Sequence, residues 1–411
     1  MMRTRLAAID PLWWAAGTGL LLRIAYLLWL TPAYGGGDAD DYLTVARSLL
    51  DTGALPPRDI IPTLAPPLYP LAIAAAMLLG GTHHILVLQL LNLAVGTGSI
   101  VLAGRLAREL LGTGTLAAWL FALHPGFILY TGHIDTEVLY QPLLLATLRY
   151  SWLTISRGDR RHAIVLGLLL GTGALLRPAG LPACALAFAV MASFGDTATL
   201  IKRVQRIALV AVIAAATIAP WSLYLTLHYH EPLLLTDAGG YDFWDGHHPD
   251  NLRSTLATTG EDRDSITDHK LAERDALLAT ATAQHLGHAA QSRLFAEAAW
   301  QHLGNGEPSL WSSTANNFVR LWRPWPDALA WGALPAFAAG LPMTLLVIAG
   351  LAGLLRGWRQ SAYRLAADLC LWQIGLFTLV CVAFVSEMRY RIGHIDPLLG
   401  LWAGCLLKPN R

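Results

Sequence analysis

The sequence predicts an all-α polytopic membrane protein of about ten transmembrane helices, with a small, mainly helical domain on the outer side. Composition points there first: of 411 residues, 55% are hydrophobic and only 14% charged, where soluble domains carry roughly 25% charged residues. Mean hydropathy is positive, at +0.45. Apolar runs then recur along the chain, near 12–31, 67–80, 85–104, 115–131, 138–156, 162–176, 178–194, 207–227, 331–355, 365–385 and 392–407, most of them long enough to span a bilayer. A net charge of +1 excludes a nucleic-acid binder working by bulk charge. Cys184, Cys370, Cys381 and Cys405 all sit in apolar runs, which offers neither a disulfide framework nor a CxxC knuckle.

The first run follows a basic start, Met1 to Arg5. It is too long for a signal core, carries Arg23 in its middle and lacks a small-x-small cleavage site near Tyr34, so a retained first span with a cytoplasmic N-terminus is expected. The 67–80 run has the length of an interfacial or re-entrant segment. Taken as interfacial, it leaves ten crossings and puts every basic cluster on one side: Arg3/Arg5, Arg105/Arg108, Arg157/Arg160/Arg161, Lys202/Arg203/Arg206, Arg356/Arg359/Arg364 and Lys408/Arg411. That is the asymmetry of cytoplasmic loops.

The opposite side receives a first outer loop (32–84), a turn at Gly132–Glu137, Arg177, a segment of about a hundred residues (228–329) and Ser386–Arg391. Three parts follow: an N-terminal membrane module (1–227), an outer domain (228–329) and a C-terminal membrane module (330–411). Within the outer domain, Ser265 to Gly304 reads as helix, with Asp264 or Ser265 as a cap. The stretch Asp237 to Gly246 reads as loop, its glycines serving turns.

Chemistry gathers on that side. Asp38, Asp40 and Asp41 crowd three carboxylates into four residues, and their mutual repulsion raises the proton affinity of at least one. An acidic turn capping the next helix is the plainer reading. Asp135 and Glu137 either meet substrate or serve the start of the fourth span. Arg389, Arg391 and Arg177 offer forked donors suited to phosphate oxygens, or snorkel to lipid headgroups. Arg23 is a functional candidate by its depth, or a structural partner within the bundle.

Several of these residues fall in motifs. Asp38-x-x-x-Tyr42 follows the first span, an Ala-rich helix ends in Leu50-x-x-Gly53, and Pro66-Pro-Leu-Tyr-Pro70 comes next. His124-Pro-Gly-Phe-Ile-Leu-Tyr leads to Thr136-Glu137, and Leu176-Arg-Pro178 lies mid-chain. Pro220-Trp221 and Leu235 to Gly246 open the outer segment, and Arg389-Tyr-Arg391 with Pro397 forms the last outer stretch. This ordered set resembles the GT-C superfamily of integral-membrane glycosyltransferases, in particular the branch of protein O-mannosyltransferases and the lipid A aminoarabinose transferase.

The resemblance implies an enzyme that transfers a sugar, with inversion, from a polyprenyl-phosphate donor to an acceptor hydroxyl at the outer membrane boundary. It implies Asp38 as the catalytic base. Asp41, Tyr42, Asp135, Glu137, Arg177, Arg389 and Arg391 are then the substrate-binding set. The acceptor is a lipid, a glycan or a protein, and the expected location is a bacterial inner membrane with the site facing the periplasm. The chain departs from many relatives at Ala39, where they carry an acidic residue, and at Ala65, where some carry Lys or His. No cofactor is predicted; a divalent metal held by histidines such as His124, His133, His247 and His248 is the alternative, without an HExxH-like spacing behind it. The competing class is a transporter or flippase of a lipid-linked glycan, for which polar residues should continue through the bilayer and an internal repeat should be visible.

Overall fold

A computed structural model describes residues 10–29, 38–56, 63–194, 198–326 and 328–407. Arg3, Arg5, Tyr34, the Gly35–Gly37 run, Lys408 and Arg411 lie outside the described residues. The protein is an all-α integral membrane protein, and among the described residues there is no strand. The first half runs α1 (Pro11–Trp29), α2 (Asp38–Thr52), α3 (Leu68–Gly80), α4 (His84–Leu111), α5 (Thr115–Leu123), α6 (Pro125–Leu129), α7 (Glu137–Arg157), α8 (Arg160–Leu176), α9 (Gly180–Phe194) and α10 (Leu200–Tyr229). The outer segment forms α11 (Gly239–His247), α12 (Pro249–Leu256), α13 (Gly260–Ala283), α14 (His288–Gly304) and α15 (Leu310–Trp322). The chain closes with α16 (Ala328–Trp331), α17 (Ala333–Trp358), α18 (Arg364–Ala383) and α19 (Met388–Trp402). By length and apolarity, α1, the α3–α4 stretch, α10, α17 and α18 with its preceding turn are each sufficient to cross a bilayer.

The two ends of the bundle differ in chemistry. At one end, Arg108 at the close of α4 pairs with Asp10 before α1 at 2.7 Å. Arg203 of α10 donates to the Ser193 carbonyl of α9, Arg206 lies against Gly158, and Arg356 of α17 donates to the Leu406 carbonyl at 3.2 Å. These arginines come from the basic clusters that the sequence assigns to one side. The acidic and arginine residues of the candidate site gather at the other end.

The apolar run 115–131 is broken at His124-Pro125 into α5 and α6. Pro125 has no N–H to give the Phe121 carbonyl one turn back. Arg23 supplies the missing donors: it bonds the Phe121 carbonyl at 3.2 Å and the Ala122 carbonyl at 3.5 Å. This fully buried arginine therefore closes a broken helix end, where a cation also meets the negative end of the dipole. On the far side of the break, His124 Nδ1 accepts from the Phe127 amide at 3.2 Å, starting α6, while its Nε2 lies 3.2 Å from Asp396 of α19.

Two expectations for the outer segment need correction. Asp237 to Gly246 is mostly helix, not loop. Its glycines serve close approach: a Cβ on Gly240 would stand 1.7 Å from the Ser292 carbonyl oxygen, and one on Gly246 would stand 1.5 Å from that of Phe384. The helix forms because it buries Trp244 against Phe295 and Ala299. Ser265 to Gly304 is two helices rather than one. Thr259, not Asp264 or Ser265, caps α13 through its hydroxyl, which accepts from the Asp262 amide at 3.2 Å. The chain then turns at His285, with φ of 51°, because the Glu231 carboxylate captures the first amides of α14, His288 N at 3.2 Å and Ala289 N at 3.0 Å.

The first outer loop is fastened to this domain. The Leu64 amide donates to Asp237 at 2.6 Å, the Thr236 hydroxyl donates to the Leu64 carbonyl at 2.7 Å, and the other Asp237 oxygen lies 2.6 Å from His288 Nδ1.

Candidate active site

The site is assembled from four helix ends. Asp38, Asp40 and Asp41 occupy the first turn of α2, where carboxylates meet the positive end of the helix dipole. Glu137 holds the same place in α7. Arg177 follows the last residue of α8 in extended conformation (φ −150°, ψ 93°), as expected of a residue forced out of helix by the following Pro178. Arg389 and Tyr390 sit in the first turn of α19.

Arg389 is the hub. Its guanidinium lies 2.8 Å from Asp38, 3.5 Å from Asp135 and 2.6 Å from Glu387. Beside it, Arg177 pairs with Glu137 at 2.6 Å and donates to the Thr136 hydroxyl at 3.1 Å. The two guanidiniums share the Tyr390 ring, at 4.9 Å for Arg177 and 5.2 Å for Arg389, a cation–π geometry. Gly393 lets α19 pass this close: a Cβ there would sit 3.2 Å from Glu137 Cγ. Tyr42 meets Tyr69 edge-to-face at 5.0 Å and anchors α2 to α3.

Accessibility sorts these groups. Side-chain exposure falls from 49% at Asp38 to 18% at Arg389, 15% at Asp135, 9% at Arg177 and 1% at Glu137. A ligand arriving from outside meets the Asp38–Arg389 pair before the Arg177–Glu137 pair, which is sealed beneath it.

Burial, with neighbouring carboxylates adding to it, raises proton affinities outside the spans. Burial, then the charge of Asp38, pushes the Asp41 carboxyl up to about 6. Burial, then Glu137, holds Asp135 well above the usual carboxylate range despite Arg389. Asp242 on α11 is pushed up to about 7 by burial, with Asp245 and Asp38 adding to it. Asp242 was not singled out from sequence, because its tie to the site comes from the outer domain folding over the first loop.

Arg391 is not brought into this cluster. Residues two apart on a helix face nearly opposite ways, so Arg391 turns inward where Arg389 turns to the site. It is fully buried, 3.0 Å from Asp396, and donates to the carbonyls of Trp322 at 3.2 Å and Arg323 at 2.7 Å. Like Arg23, it closes a helix end, here that of α15 before Pro324. His247 is likewise engaged, with Nδ1 2.7 Å from the Ser313 hydroxyl and Nε2 3.1 Å from the Ala383 carbonyl. Among the described residues, the group able to hold a metal is His248, Glu273 and His302, inside the outer domain.

No family model matches the chain, and no curated protein does. Among solved structures it is similar to ArnT from Cupriavidus metallidurans bound to undecaprenyl phosphate, at 14% identity and a TM-score of 0.40, covering 92% of this chain and 77% of that one. The apo state of the same enzyme gives 15% identity and a TM-score of 0.38, covering 92% and 78%. The Archaeoglobus fulgidus oligosaccharyltransferase, in complex with zinc and sulfate, gives 16% identity and a TM-score of 0.40. That match covers 95% of this chain and 53% of the other, so the chain spans about half the length of the oligosaccharyltransferase.

Proposed function

We propose that the protein transfers a sugar, with inversion, from a polyprenyl-phosphate donor to an acceptor hydroxyl, at the end of the bundle that carries Asp38 and Arg389. One observation carries this reading: the most accessible carboxylate of the cluster and its most accessible cation lie 2.8 Å apart. A transfer of this kind needs a group to take a proton and a group to balance a departing phosphate on opposite faces of one anomeric carbon, so the pair opens as the substrate enters between its two members.

In this mechanism Asp38 takes the proton of the acceptor hydroxyl as its oxygen attacks the anomeric carbon. The bond from that carbon to the phosphate oxygen breaks, and the lipid phosphate leaves against Arg389. The arginine must exchange carboxylate partners for phosphate, which frees Asp38 for the proton. Asp135, with its raised proton affinity, competes weakly for Arg389. Arg177 and Glu137 act as the base of the site, fixing Tyr390 beneath the arginine, and Asp41 and Tyr42 meet the sugar. Arg391 is assigned to the fold. The proposed setting is a bacterial inner membrane with this end facing the periplasm, and a lipid, glycan or protein as acceptor.

The test is transfer by purified protein from radiolabelled polyprenyl-phosphate sugars to candidate acceptors. Formation of a glycosidic bond supports the reading. Movement of an intact lipid-linked glycan across vesicles, with no bond formed, would place the protein among transporters instead.

A further inference from the structure

The outer segment holds no cysteine, so its five helices are not stapled by disulfides. Near the small core of Trp244, Phe295 and Ala299, three side chains from three elements converge. His248 lies at the junction of α11 and α12, Glu273 on α13 and His302 on α14. Nε2 of His248 is 3.1 Å from one Glu273 oxygen, and Nε2 of His302 is 2.8 Å from the other. The two rings meet edge-to-face at 5.1 Å between centroids.

Two ligands held at ~2.0–2.1 Å on a tetrahedral zinc stand about 3.3 Å apart. The two histidine–Glu273 separations, 3.1 and 2.8 Å, are shorter than that figure, and the three ligand atoms lie within 4.8 Å of one another, so small side-chain shifts admit an ion. We propose that His248, Glu273 and His302 form a binding site for a divalent transition metal of the zinc class, which staples the start of α12 to α13 and α14. Two imidazoles and one carboxylate suit zinc better than magnesium or calcium, which prefer all-oxygen shells. Glu273 and His302 are 27% and 24% exposed at the side chain, leaving an entry path and a fourth position for water.

The surroundings support ligation. Trp244 Nε1 donates to Glu273 at 3.0 Å and orients the carboxylate. The Asp250 carboxylate lies 3.7 Å from His248 Nδ1, beyond hydrogen-bond reach, and is held by Arg253 and His269. Without metal, His248 Nδ1 accepts from the Asp250 amide at 3.1 Å, so the ring proton sits on Nε2 and points at Glu273. Ligation through Nε2 requires the other tautomer, so metal binding has to break the bond from the Asp250 amide to Nδ1. The site is independent of the sugar-transfer reading.

The experiment uses the full chain in detergent, stripped with a chelator, desalted and equilibrated with zinc chloride. Retention of one zinc per chain by elemental analysis is expected, with a rise in Tm of ~2–4 °C at saturation. His302→Gln should lose both while keeping its helical content. If the wild-type chain retains no stoichiometric zinc and its Tm is unmoved, the trio is a hydrogen-bonded clamp on Glu273 and the proposal falls. Equal zinc retention by wild type and His302→Gln overturns it as well, by assigning the metal to other histidines. Where His302→Gln fails to fold, Glu273→Gln is the second variant and should lose the same zinc.

Discussion

Arg389 is shared by carboxylates from three places in the chain, and its 2.8 Å contact with Asp38 joins the first turn of α2 to the first turn of α19. One positive charge among Asp38, Asp135 and Glu387 leaves a local negative surplus. An incoming phosphate must therefore displace carboxylates from the arginine rather than dock on a free cation. Asp38, the most exposed of them, is the one that most readily lets go.

Asp38→Asn should lower transfer by ~10²–10⁴-fold, the usual contribution of a general base, with donor binding retained. Asp40→Asn and Asp41→Asn should cost much less. Turnover and donor affinity measured side by side check this. An Asp38→Asn protein turning over at the normal rate would exclude the assignment and direct attention to Asp135 and Glu137.

The two arginines of Arg389-Tyr-Arg391 should separate cleanly. Arg389→Gln should weaken donor affinity by roughly 10–100-fold, the worth of a charge-assisted contact of about 1.5–3 kcal/mol. Arg391→Gln should cost stability instead, about 3–5 kcal/mol, because Asp396 is left buried without its cation. Binding isotherms and melting curves of both variants make the comparison. A large affinity loss in a well-folded Arg391→Gln protein would return that residue to the site.

That contrast also shows what was legible in the sequence. Apolar runs and basic clusters are local signals, so the membrane helices and the two unlike ends could be read from them. Asp38, Asp135, Glu137, Arg177 and Arg389 are candidates from the resemblance and from their placement on one side, and the structure sets them next to one another. Arg391 was grouped with Arg389 because sequence proximity hides the half-turn between them. The helix at Gly239–His247 reads as loop in the sequence because its glycines suggest turns, while their close approach to Ser292 and Phe384 exists only in three dimensions. Asp242 was missed for the same reason. The break at His124-Pro125 was visible as a proline inside an apolar run, yet Arg23 as its partner was not.

Asp242 should leave a mark on stability against pH. Its folded pKa, about 7, lies above the ordinary carboxylate value near ~4. The stabilisation from the protonated form is therefore fully present below pH ~4 and is lost as pH rises through about 7. Asp242→Asn keeps a neutral side chain at every pH. Its gain in Tm over the parent should grow from pH 5 to about pH 7 and level off above that. A difference that does not vary with pH would mean that Asp242 titrates normally.

Arg23→Met should destabilise the fold without touching donor affinity. The change strands the Phe121 carbonyl that Pro125 cannot serve, at a cost of ~1–3 kcal/mol for a buried unpaired group. Thermal unfolding in detergent and donor binding by the same sample are the two readouts. Loss of donor affinity with unchanged stability would move Arg23 from helix closure to function.

The last prediction concerns sidedness. Helix α3 is separated from α4 by a turn at Gly81–His83, with Gly81 in the left-handed region at φ 52°. If α3 lies along the interface, that turn shares a side with Asp38. Thr82 is exposed, and the four native cysteines are all buried, so Thr82→Cys places one accessible thiol on a quiet background. An impermeant thiol reagent applied to intact cells should label it from outside, and prior treatment with a second impermeant blocker should abolish the signal. Labelling obtained only after the cytoplasmic face is opened would mean that α3 crosses the membrane. A further segment between α4 and α19 would then have to change its crossing, because Asp38 and Arg389 meet at 2.8 Å at one end of the bundle.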